Sequence, residues 1–170
     1  FIYPDEEAKL AGCTKVPLED RMFFCCSARE GWRTLTEGAS LQWRDVNLEL
    51  GTVSLDENKT DDARTWRLDP GTHRALQVWK EMHPDAGPTD LVFPTAQGPA
   101  YKHDQPAERL RSALKAAGIT RPELFEDGVN RRKMRAYDLR GTFVTLALGC
   151  GRNEAWVADR TGHRSSQMIA

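Results

Sequence analysis

Between residues 46 and 68 the hydrophobic pattern changes period, and that change limits what the chain can fold into. The segment RDVNLELGTVSLDENKTDDARTWRLD sets Val46, Leu48 and Leu50, then Val53 and Leu55, then Trp66 and Leu68 at alternate positions. Alternation sends successive side chains to opposite faces of a strand, so it predicts up to three short antiparallel strands joined by tight turns. LELG makes the first turn, and ENKTDDAR makes the second with Lys59 at or near its tip. Outside this stretch the spacing is helical. The predicted class is α+β: mostly helical, with a small three-stranded antiparallel sheet near the front.

The helices are marked by their ends. Pro4 followed by Asp5, Glu6 and Glu7 starts a helix over 4–12. A second runs over 18–30, with Leu18, Met22, Cys25 and Cys26 at helical spacing, and Gly31 breaks it. TLTEGASLQW reads as a short helix with Thr34 as N-cap and Glu37 three residues on, a capping box. PGTHRALQVWKEMHP is helical and stops at Pro84, TDLVFP is extended, and DQPAERLRSALKAAG is a helix closed by Gly118. Residues 119–136 are irregular and charged. DLRGTFVTLALGCG then forms a helix with Leu139, Phe143, Leu146 and Ala147 on one face. NEAWVADRTG forms a shorter one capped by Asn153, and SSQMIA begins another.

At 170 residues, 39% apolar and 29% charged, the composition suits one globular domain. No apolar run approaches the roughly 18 residues of a membrane span. The four cysteines lack C-x-x-C spacing, and Cys25 and Cys26 read as buried thiols in a cytoplasmic, reducing setting. No histidine spacing suggests a metal site. Phe1 and the closing TGHRSSQMIA both predict a chain that continues further. Charge is unevenly spread. Residues 1–100 hold 11 Lys and Arg against 17 Asp and Glu, whereas residues 101–170 hold 13 against 8. The densest basic cluster, Arg131, Arg132, Lys133 and Arg135, points to a polyanion such as DNA.

Four places could carry chemistry. Arg33 follows a helix break and precedes a helix start, where guanidinium and backbone N–H groups can share a phosphate. Lys59 on a hairpin could deliver a proton. Tyr137 and Arg140 lie three apart at a helix start, on one face. His163 follows Gly162 between two helices. Taken singly, each is an ordinary polar residue.

Their order is more informative. GWRTLTE (31–37), LQWRDVNLELGTVSL (41–55), NKT (58–60), YDLRGTFVT (137–145) and DRTGHRSS (159–166) together resemble the catalytic domain of the tyrosine recombinases, or phage-type integrases. The resemblance spans nearly the whole chain. It implies that Arg33 and Arg140 grip the non-bridging oxygens of a scissile DNA phosphate, that Lys59 protonates the departing 5′ oxygen, and that His163 donates to the same phosphate. It also implies a tyrosine nucleophile forming a 3′-phosphotyrosyl link, no metal or ATP, and a homo-tetramer on double-stranded DNA. An N-terminal DNA-clamping domain and the nucleophile would lie outside residues 1–170, the nucleophile just beyond Ala170. Tyr137 stands where the family usually has histidine, and Gly141 where it often has histidine or arginine. A phenol there can donate a hydrogen bond but is not a cation. A degenerate domain that binds DNA or partners without cutting is the alternative.

Overall fold

The computed structural model describes residues 1–55, 63–95 and 105–162. Helix α1 spans Pro4–Gly12 and α2 spans Leu18–Glu30. The sheet follows in the order β1 (Val46–Asn47), β2 (Thr52–Leu55) and β3 (Arg64–Arg67), antiparallel throughout, with Val53 opposite both Val46 and Trp66. Next come α3 (Pro70–Glu81), α4 (Gln105–Ala116), the single turn α5 (Pro122–Phe125), α6 (Asp138–Gly149) and α7 (Glu154–Thr161). The expected α+β class is what forms. The hairpin loop with Lys59 and the stretch from His163 onward lie outside the described residues.

Helix α2 is the hub. It packs against α1, α3, α4 and α6, which explains why its apolar positions are broader than one stripe. Phe23 and Phe24 are fully buried, and Phe23 meets Phe93 edge-on at 5.7 Å between ring centres. Leu110, Leu114 and Leu139 close the same core from α4 and α6. Buried Asp20 on α2 accepts from Arg109 of α4 at 2.7 Å and 3.1 Å, a two-pronged pair that fixes the helix register. Of the two thiols expected to be buried, Cys26 is buried and Cys25 is half-buried against the core, where desolvation still pushes its thiol up to about 12.

Four local expectations change. The segment after Gly31 is not an ordinary helix with Thr34 as its cap. It is one wide π-type turn, Thr34–Gly38, and Arg33 holds the cap position. The Thr34 hydroxyl instead donates to the Ala136 carbonyl at 2.9 Å, a tertiary bond that wins over the local cap. Alternation in the sheet ends early, because Leu50 sits in the β1–β2 turn and is exposed. On α6 the buried positions are Leu139, Arg140, Thr142 and Phe143, with Leu146 and Ala147 only half-buried. Within the region read as irregular, α5 forms, and Gly128 pairs with Arg131 in a tight turn.

Candidate active site

Gly31 closes α2 in the left-handed conformation, φ 67°. The turn points Trp32 into the core, where its indole donates to Ser27 Oγ at 2.9 Å, and releases Arg33 on the other side. A Cβ at Gly31 would overlap the Phe143 ring of α6, so glycine also sets how closely α2 and α6 approach.

Arg33 is held at two points by one side chain. Glu37 accepts from the Arg33 backbone N–H at 2.7 Å and from Arg33 Nη1 at 2.5 Å. The π-type turn makes this possible by bringing the carboxylate back over its own start. Glu37 is buried, and its second oxygen also accepts from Arg64 Nη2 at 2.6 Å. One carboxylate therefore braces two guanidiniums, from the α2–β1 connection and from β3.

Arg140 enters from the first turn of α6 and is buried. Its Nη1 donates to the Gly31 carbonyl at 3.0 Å and its Nη2 to the Thr161 carbonyl at 2.6 Å. Both acceptors are helix-terminal carbonyls, the negative ends of α2 and α7, and a cation suits them. Burial, joined by the like charges of Arg33 and Arg64, holds the Arg140 guanidinium down at about 10, below the ordinary arginine value. Three cations thus crowd one carboxylate. Such a cluster favours an anion, and phosphate matches the fork geometry of arginine.

The α7 end is fixed by a second buried network. Glu30, the last residue of α2, pairs with Arg160 of α7. Its carboxylate also accepts from Trp66 Nε1 at 3.0 Å and from the Asp69 N–H at 2.9 Å. Arg160 Nη1 donates to the Arg67 carbonyl at 3.0 Å. These contacts join α2, β3 and α7 immediately beside Gly162, which closes α7 at φ 68°.

Of the residues singled out in the sequence, Arg33 and Arg140 come together through the Gly31 turn. Lys59 and His163 lie outside the described residues. Tyr137 caps α6 and is 52% exposed while Arg140 is 2% exposed, so the two do not share one depth on the helix. Arg131, Arg132, Lys133 and Arg135 are all exposed on the segment leading into α6. Arg131, Arg132 and Arg135 line one groove with Arg121 and Tyr137. The segment is anchored beneath: Met134 and Ala136 are buried, and Arg111 Nη1 donates to the Met134 carbonyl at 2.6 Å. Among the described residues no cluster of three His, Cys, Asp or Glu side chains could hold a metal ion, and no helix is long and apolar enough to cross a membrane.

Sequence reasoning missed Glu37 as a brace, and it missed Arg64, Glu30 and Arg160 altogether. Glu30 left a trace, since an acid in the last turn of a helix opposes the helix dipole and needs a compensating partner. Arg64 left none, because the carboxylate it joins is 27 positions away.

Comparison with known proteins places this arrangement. The prophage integrase IntR of Escherichia coli (strain K12) is 27% identical over an alignment covering 78% of this chain and 38% of that protein. The crystal structure of XerA recombinase superposes with a TM-score of 0.78 at 20% identity, covering 99% of this chain and 56% of that one. The XerH site-specific recombinase bound to its difH substrate gives 0.73 at 21% identity, covering 99% and 48%. The chain thus spans about two fifths to three fifths of the length of these proteins. The sequence profile of the phage integrase family matches residues 1–170, and the chain belongs to that family.

Proposed function

We propose that residues 1–170 form the catalytic domain of a site-specific DNA recombinase that cuts and rejoins strands through a 3′-phosphotyrosyl intermediate. The observation that carries this reading is the joining of Arg33 and Arg140 around the Gly31 turn, with more positive charge than Glu37 balances. The exposed basic segment 131–135 lies directly before the helix that bears Arg140. A structural neighbour, XerH, is seen bound to its DNA substrate in a pre-cleavage complex, which supports the same partner here.

The chemistry follows from the charges. Attack of a tyrosine oxygen on phosphorus builds negative charge on the two non-bridging oxygens. Fixed guanidiniums stabilise that state because they need no reorganisation as the charge develops. The tyrosine gives up its proton to solvent water as its oxygen bonds phosphorus. The P–O5′ bond breaks, and the leaving oxygen takes a proton from Lys59, ending as a 5′-hydroxyl. His163 donates to the same phosphate. The bond energy stays in the 3′-phosphotyrosyl link, so the reverse attack by a 5′-hydroxyl rejoins a strand. The nucleophile in this reading is a tyrosine encoded after Ala170, and the working assembly is a tetramer on double-stranded DNA.

Tyr137 favours one competing reading. It stands where the family usually carries histidine, and its half-exposed phenol is not a cation, which suits a domain that binds DNA without cutting it. The two readings separate on a nicked duplex carrying the protein's recombination site, because loss of the short strand end prevents religation. The protein carried through the residues after Ala170 should form a denaturant-resistant complex with this DNA, and Arg140→Ala should abolish it. A wild-type protein that binds the duplex and never links to it selects the non-cleaving reading.

A further inference from the structure

Arg64 is the cation in this cluster that the resemblance leaves without a role. Its side chain is nine-tenths buried. Nη2 is spent on Glu37 at 2.6 Å. The guanidinium also lies over the Trp66 ring, 5.2 Å from its centre. Nε and Nη1 are buried and have no hydrogen-bond partner among the described residues. Nη1 rests against Gly162, where any Cβ would overlap it. Gly162 directly precedes His163 in the sequence.

An arginine is always charged, and burying two of its donors unpaired is a standing cost. Apolar residues of similar volume could fill the same space without that cost. The unpaired donors also sit within the electrostatic reach of Arg140, whose pKa they help depress. Glu37 neutralises one charge of the Arg33, Arg64 and Arg140 set and leaves two. A phosphate diester carries one negative charge at rest and gains a second as a nucleophile adds to it, so the imbalance matches the reacting state.

We propose that Arg64 is a further phosphate-binding residue of this site, supplying to the DNA phosphate held by Arg33 and Arg140 the donors that Glu37 leaves unused. This rests on the function proposed above. On this account the Glu37 bridge aims Arg64 as well as Arg33, and the missing side chain at Gly162 is what lets Nη1 lie against that backbone, next to His163 in the sequence.

The test compares two nicked duplexes that differ at one atom. In the first the scissile phosphate is ordinary. In the second a methylphosphonate replaces one non-bridging oxygen with a methyl group and removes the charge. The full protein, carried past Ala170, is used throughout. Arg64→Gln should slow covalent-complex formation on the ordinary duplex by about 100-fold, the scale of losing one transition-state donor. On the methylphosphonate duplex it should react within about threefold of wild type, because the charge it lacked is no longer there to be balanced. Each comparison is normalised to folded protein by thermal melting. Arg64→Lys serves as the second variant should Arg64→Gln fail to fold, and it should show the same bias toward the neutral duplex in weaker form. Equal losses on both duplexes would make Arg64 a brace for Glu37 alone and overturn the proposal, as would wild-type rates on both. If wild type forms no complex on either duplex, the recombinase reading itself has failed and this inference falls with it.

Discussion

Glu37 shows what a single carboxylate contributes to the site. It is buried, takes the Arg33 side chain on Oε1, and takes both the Arg33 backbone N–H and Arg64 on Oε2. Glu37→Gln would leave both guanidiniums without a counter-charge. Removing one partner of a buried pair costs about 3 kcal/mol or more. Urea denaturation should record a loss of that size, while DNA affinity at low salt should not fall, since the variant gains net positive charge. A loss below about 0.5 kcal/mol would show that water satisfies the arginines instead. At this scale the sequence was partly legible. Arg33 and Arg140 stand in recognisable motifs, and Glu37 falls at the i+4 spacing from Arg33 that suits an ion pair. Arg64 was hidden, because tertiary packing alone brings a strand residue to a carboxylate 27 positions earlier. Lys59 and His163 are legible as motif members.

Between elements, two contacts govern how the helices meet. The first is the Gly31 turn. Its positive φ and the overlap of any Cβ with Phe143 mean that Gly31→Ala must strain the turn and push α6 outward. The cost should be about 2 kcal/mol or more in chemical denaturation, combining the left-handed backbone with overpacking. A near-neutral result would show that α2 and α6 are not in register through this turn. The second is the seat of α1. Burial alone would raise the Glu6 carboxyl, but hydrogen bonds from Arg121 at 2.8 Å and 2.9 Å and from the Tyr3 N–H at 2.8 Å outweigh it and hold the group below its ordinary value. A carboxyl depressed in the folded state stabilises above its unfolded value of about 4.3, and the contribution fades as pH falls through the folded value. The melting-temperature gap between wild type and Glu6→Gln should therefore be widest near neutrality and close in acid. A gap independent of pH would mean that the pair adds nothing through charge. Helix boundaries were legible at this scale because proline, glycine and asparagine mark ends by local chemistry. The π-type turn at Thr34–Gly38 was not, because Thr34 has a competing partner in Ala136, 102 residues away.

For the whole molecule, charge decides which face suits the proposed DNA partner. The net charge is −1, yet the second part of the chain is basic, and its exposed cluster lines a groove with Arg121 and Tyr137 just before the helix that bears Arg140. Removing one phosphate-binding cation should lower the slope of log affinity against log salt by about 0.9. Replacing Arg131, Arg132, Lys133 and Arg135 together by alanine should therefore flatten that slope by about 2 to 4 in a titration series, with similar losses on any duplex sequence. An unchanged slope would place the DNA face elsewhere. The central claim, that this domain builds the phosphate pocket and a tyrosine outside residues 1–170 attacks, is tested most directly by peptide mapping of the covalent DNA adduct. The protein carried past Ala170 should yield one peptide joined to the 3′ phosphate through a tyrosine encoded after Ala170, and residues 1–170 alone should yield none. An adduct on Tyr3, Tyr101 or Tyr137 would contradict the account.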